Sequence, residues 1–148
     1  MNSEKLKAEL IEDEGRRTYP YPDTEGLLTA GIGHNLEAAG CSTEEIASWK
    51  KTGVPEATID GWFEADIAKA VACCREVFCG FDSLPDEAQR VLVNMAFDLR
   101  YKLEKWQGLR CAVSMRDWSC AAREILDSEF ARQAPERCRR LAARITGE

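Results

Sequence analysis

Apolar positions recur along this chain with two different periods. Leu6, Leu10 and Ile11 follow helical spacing and Glu14 falls on the same face, so the first predicted helix ends in a carboxylate on its buried side. Pro20, Pro22 and the turn-forming Asp23-Thr24-Glu25-Gly26 then break the chain before a short alternating run, Leu27 to Ala30, that reads as strand. Ser42-Thr43-Glu44-Glu45 is a capping box opening a helix that runs to about Lys51 and ends at Thr52-Gly53. From Pro55 the longest periodic segment carries Ile59, Trp62, Phe63, Asp66, Ile67, Ala70, Val71, Cys74, Val77 and Phe78 on one stripe. Ser83-Leu84-Pro85-Asp86 caps the next helix, with Ala88, Val91, Leu92, Met95, Ala96 and Leu99 as its apolar face. Shorter helices are predicted around Leu109–Met115, Trp118–Leu126 and Pro135–Ile145. Trp62, Trp106 and Trp118 are expected in the core, and Trp49 at the surface. Many helices around one small sheet make an α+β, predominantly helical fold.

Length and composition narrow this picture. At 148 residues the chain is one domain's worth of sequence, able to bury a core without disulfides. Seven cysteines with a single His lack the paired spacing of a zinc site, so no metal and no other cofactor is expected, and the thiols read as ordinary side chains of a reducing compartment. Adjacent Cys73 and Cys74 point to different helix faces, so only one should be core. No signal peptide or membrane-spanning run is expected from the charged N-terminal helix. The net charge of −6 is uneven: 9 basic and 19 acidic residues up to Leu99, then 11 basic and 7 acidic. The acidic half argues against general nucleic-acid binding, while the basic half could attract an anionic wall.

The candidate chemistry lies near the N-terminus. Glu14 closes a helix on its apolar side, where desolvation favours the protonated carboxyl, and Asp23 stands nine residues on in a watery turn. Two carboxylates in unlike surroundings suit glycosidic hydrolysis, in which one donates a proton while the other stays ionised. Thr29 follows, then Gly31-Ile32-Gly33-His34. Asp66 is the one charge on the long helical stripe and needs a partner.

Glu14-Gly15, Asp23, Thr29 and Gly31-Ile32-Gly33-His34, with Asn94-Met95-Ala96-Phe97, Ala121-Ala122, Ser128 and Gln133-Ala134-Pro135-Glu136-Arg137, resemble the phage-type lysozymes, glycoside hydrolase family 24. The resemblance spans nearly the whole chain. It implies one lysozyme domain over 1–148, with a sheet lobe at about 15–54, a linking helix at about 55–79 and a helical lobe at about 80–148 that includes the N-terminal helix. It further implies an endolysin: a muramidase cutting the β-1,4 bond between N-acetylmuramic acid and N-acetylglucosamine in peptidoglycan. Glu14 would be the general acid, Asp23 would stabilise charge on the sugar and orient water, and Thr29 would hold that water. Arg137 corresponds to the arginine near the acid, His34 pairs with Asp66, and the backbone around Asn35 and Phe97 meets sugar. A water between carboxylate and sugar implies inversion, with the carboxyls roughly 6.5–9.5 Å apart. The expected partners are peptidoglycan and a holin that releases a monomer from the host cytoplasm to lyse the cell, with no nucleic acid and no membrane anchor.

Three positions depart from the pattern. Arg100 replaces a helix-closing glycine, which predicts a rebuilt loop after Leu99; Asp98 replaces Gln or Asn, and Phe130 a tryptophan. Alternative readings are a lytic transglycosylase, which typically works with one carboxylate and so has no use for both Asp23 and Thr29, and a degenerate wall-binding module without chemistry. Chitin-like polymers are a further possible substrate class.

Overall fold

The computed structural model describes residues 1–100 and 102–148. It is an α+β, predominantly helical protein, in which the chain forms two compact units, Lys7–Ala68 and Met1–Leu6 with Lys69–Glu148.

In the first unit, α1 (Ser3–Glu14) contributes its C-terminal part. Leu10 is fully buried, but Ile11 is exposed. At 3.6 residues per turn Ile11 lies about 140° around the helix from Leu6, beyond the apolar face, whereas Glu14 stays within it. Three antiparallel strands follow in the order β1-β2-β3: β1 (Arg17–Pro22), β2 (Leu28–Gly31) and β3 (His34–Asn35). Pro20 and Pro22 lie inside β1 rather than in the turn. Proline is tolerated there because β1 is an edge strand, and its pairing is irregular between Arg17 and Tyr21. The turn proper is Asp23 to Gly26, closed by the Gly26 N–H donating to the Asp23 carbonyl at 3.0 Å.

The capping box of α2 (Thr43–Thr52) is complete. The Ser42 hydroxyl accepts from the Glu45 N–H at 3.1 Å, and the Ser42 N–H donates to the Glu45 carboxylate at 2.9 Å. Gly53 ends the helix at φ +80, where a Cβ would come within 2.6 Å of Thr18 Cγ2. The helix α3 (Glu56–Val77) buries Ile59, Phe63 and Ile67 in this unit. Two ion pairs tie its outer face to the residues before it, Lys7 to Glu64 at 2.5 Å and Arg16 to Asp60 at 2.9 Å, with Arg16 also on Glu56.

The second unit centres on α4 (Asp86–Asp98). The pattern predicts one apolar face, but every residue from Ala88 to Phe97 is buried. The polar residues among them are satisfied from within the unit: Gln89 Nε2 donates to the Leu84 carbonyl at 2.8 Å, Arg90 Nε to Asp86 at 2.9 Å, and Asn94 receives Arg137. The Arg90 guanidinium holds the Asp86 carboxyl below its usual range. Ser83 does not cap α4, because its hydroxyl donates back to the Gly80 carbonyl at 2.7 Å and closes a 3₁₀ turn, Phe81–Ser83. The remaining helices are α5 (Gln107–Ser114), α6 (Trp118–Leu126), the unpredicted one-turn α7 (Glu129–Gln133) and α8 (Pro135–Thr146). Asp117 and Ser128 cap α6 and α7, and Pro135 opens α8. Cys74 and Cys138 are buried, Cys73 only in part, and burial pushes the Cys138 thiol up to about 11. No helix among the described residues is long and apolar enough to cross a membrane.

Arg100, which follows Leu99, adopts the left-handed geometry that a glycine would supply, at φ 49. Tyr101, the next residue of the loop expected to be rebuilt, lies outside the described residues, and at Arg100 itself the substitution appears as backbone strain. Left-handed conformation costs a residue with a Cβ about 1 kcal/mol. Arg100→Gly is expected to stabilise the protein by up to that amount and to raise the thermal midpoint by about 2–4 °C. Calorimetry checks this; an unchanged or lowered midpoint would mean that contacts of the arginine outweigh the strain.

Candidate active site

Glu14 ends α1 half-buried, and the chain returns past it at Gly33. A Cβ on Gly33 would stand 2.8 Å from Glu14 Oε2, so the carboxylate can occupy its place only beside a residue without a side chain. Gly31 is also constrained, at φ +61 with Ile59 Cγ2 at 3.1 Å from a notional Cβ. The glycines thus turn the chain between β2 and β3 and hold it against α3 and the acid.

Asp23 is half-buried rather than fully solvated. Its Oδ1 accepts from the Glu25 N–H at 2.9 Å and from the Leu27 N–H at 2.8 Å, an Asx turn that fixes the carboxylate on its hairpin. Thr29, on the central strand, is only 3% exposed, and its hydroxyl donates to the Leu27 carbonyl at 3.0 Å. With its one proton engaged, the oxygen meets any further partner as an acceptor.

His34 Nδ1 lies 2.6 Å from Asp66 Oδ2, a close contact between β3 and α3 within the unit. The imidazole stacks on Trp62, centroids 4.3 Å apart and planes at 12°, and Trp49 meets Trp62 edge-on at 5.3 Å. All of the tryptophans are half-buried, so Trp62, Trp106 and Trp118 are not core residues and Trp49 is not a free surface aromatic. Asn35 turns its side chain to local use, Oδ1 accepting from the Glu37 and Ala38 N–H groups at 3.1 and 3.0 Å.

Glu14, Asp23, Thr29, His34, Asn35 and Asp66 all belong to the unit Lys7–Ala68, whereas Phe97 and Arg137 belong to the other. There Arg137 is buried, donating from Nε to Asn94 Oδ1 at 3.0 Å and pairing with Asp98 at 2.5 Å. Its guanidinium lies 5.9 Å from the centre of the Phe130 ring. Phe97 is buried on α4.

Two residues that the sequence pattern did not single out stand beside the first group. Tyr21 is the cross-strand partner of Thr29, and the Arg17 guanidinium lies 4.3 Å from the centre of the Tyr21 ring. Cross-strand register is the signal that would have found them, and a strand interrupted by two prolines hides it.

The chain is similar along almost its full length to two curated proteins of Dictyostelium discoideum. It is 26% identical over 153 residues to "Probable T4-type lysozyme 2", covering 92% of this chain and 90% of that one. To "Probable T4-type lysozyme 1" it is 26% identical over 158 residues, covering 95% and 92%. The similarity is thus to proteins named as T4-type lysozymes, at about a quarter of aligned positions identical. Both of these proteins are named as lysozymes, which are glycoside hydrolases. No protein-family model matches the chain. Against the lysozyme pattern, Asp98 supplies an ion pair to Arg137 that a neutral Gln or Asn could not, and Arg100 stands in a left-handed conformation where the pattern has glycine.

Proposed function

We propose that this lysozyme relative is a muramidase that hydrolyses the β-1,4 bond between N-acetylmuramic acid and N-acetylglucosamine in bacterial peptidoglycan, with inversion at the anomeric carbon. The observation that carries the proposal is the set of Glu14, Asp23 and Thr29 in one compact unit, the acid lodged against Gly33 and the threonine on the central strand. Glu14 gives its proton to the leaving oxygen as the glycosidic bond breaks. A water adds to the anomeric carbon from the opposite face and passes a proton to Asp23.

The hydrogen bond from Thr29 to Leu27 adds a detail. Because the hydroxyl proton is taken, the water must donate to Thr29 and to Asp23, which leaves a lone pair for the sugar. Arg137 and Phe97 enter the proposal only through the resemblance, as does the backbone of Asn35. Release by a holin, a lytic role in a host cell and a monomeric state belong to the same proposal.

The initial product of peptidoglycan digestion is expected to be the α-anomer, read by proton NMR before mutarotation. A β-anomer would mean a retaining mechanism and a nucleophilic Asp23. Mass spectrometry of the same digest separates the rival chemistry, since a transglycosylase leaves an anhydro-muramic end in place of a reducing one.

A further inference from the structure

Tyr21 has no part in the chemistry so far described. In an antiparallel pair, residues directly opposite one another project from the same sheet face, and Tyr21 stands opposite Thr29 at the last regular stretch of β1. Two residues further on comes Asp23, at the turn. The ring is half-buried under the Arg17 guanidinium, 4.3 Å from its centre, which covers one aromatic face and makes the hydroxyl the informative end.

The electrostatics agree with this placement. Burial pushes the phenol above its ordinary range, Arg17 opposes that shift, and the charges of Glu14 and Asp23 add to it. The phenol oxygen is thus within the field of both carboxylates and remains a neutral O–H donor at physiological pH.

We propose that Tyr21 is a further catalytic residue, its phenol donating a hydrogen bond to the sugar held between Glu14 and Asp23 beside Thr29. The inference rests on the muramidase reading. A hydrogen bond to the ring that is distorted at the reaction centre strengthens as the transition state forms, so it acts on kcat more than on KM.

The test compares wild type, Tyr21→Phe and Tyr21→Ala on purified peptidoglycan, with release of reducing ends and the thermal midpoint measured for each. Tyr21→Phe keeps the ring beneath Arg17 and removes only the hydroxyl. It is expected to lower kcat about tenfold, the effect of losing one net hydrogen bond, with KM and thermal midpoint close to wild type. A kcat within twofold of wild type overturns the proposal, even if Tyr21→Ala is impaired, because the ring alone would then matter. A rise in KM with kcat unchanged also overturns it, since the contact would lie away from the reacting centre. Inactivity of the wild type on peptidoglycan defeats the muramidase reading and this inference with it, whereas an active wild type beside an unimpaired Tyr21→Phe defeats this one alone.

Discussion

Replacing Glu14 by Gln is expected to reduce hydrolysis of purified peptidoglycan by about 10²–10⁴-fold while leaving the fold intact. The amide is close in size to the carboxylate and can occupy the same space against Gly33, where a notional Cβ is only 2.8 Å from Oε2. It cannot protonate the leaving oxygen. The comparison should use initial rates of reducing-end release, with thermal midpoints as the control for folding. Retention of more than a tenth of wild-type turnover would reject Glu14 as the acid. Loss of activity together with a collapsed thermal midpoint would instead assign the residue to the packing of the α1 terminus.

The second large effect concerns stability. His34 and Asp66 are 10% and 13% exposed in their side chains and approach to 2.6 Å, so each is the other's compensation for lost solvent. Trp62 stacks on the imidazole, and His34 Nε2 is buried with no hydrogen-bond partner among the described residues. Removing the carboxylate would therefore leave a ring with both nitrogens poorly satisfied. Asp66→Ala is expected to destabilise the protein by about 3 kcal/mol, the lower end for breaking a buried pair because some solvent reaches both groups. In a chain of this length that lowers the thermal midpoint by about 10 °C. Chemical denaturation of both proteins measures the difference. A loss under about 1 kcal/mol would put the contact in the class of exposed ion pairs, and a fall in activity without one would point to a functional rather than a structural histidine.

Much of the site could be read in order along the chain because its parts are local. The Asp23 turn closes within four residues and is held by the aspartate's own side chain, so composition alone specified it. The glycines at 31 and 33 needed no structure to be suspected, although their reasons, Ile59 behind one and Glu14 behind the other, did. Tyr21 is the opposite case. Its neighbourhood with Thr29 arises from strand register, and the irregularity between Arg17 and Tyr21 shifts that register in a way that no alternation of residue types records.

The same division holds for the fold. The sequence by itself determined the α+β class and the limits of α2, α3 and α8, because capping boxes, helical periods and an N-terminal proline act between residues a few positions apart. It also implied that only one of Cys73 and Cys74 could be core, since adjacent residues on a helix diverge by about 100°. Only the tertiary structure decided that α4 is buried on every side, that its Asn94 serves Arg137, and that the tryptophans are half-buried. Periodicity reports the apolar face of a helix but not how many neighbours surround it, and a polar side chain is admitted to the interior only when a distant partner satisfies it. Arg100 makes the point in the backbone: it is left-handed at φ 49, against the local preference of the residue itself.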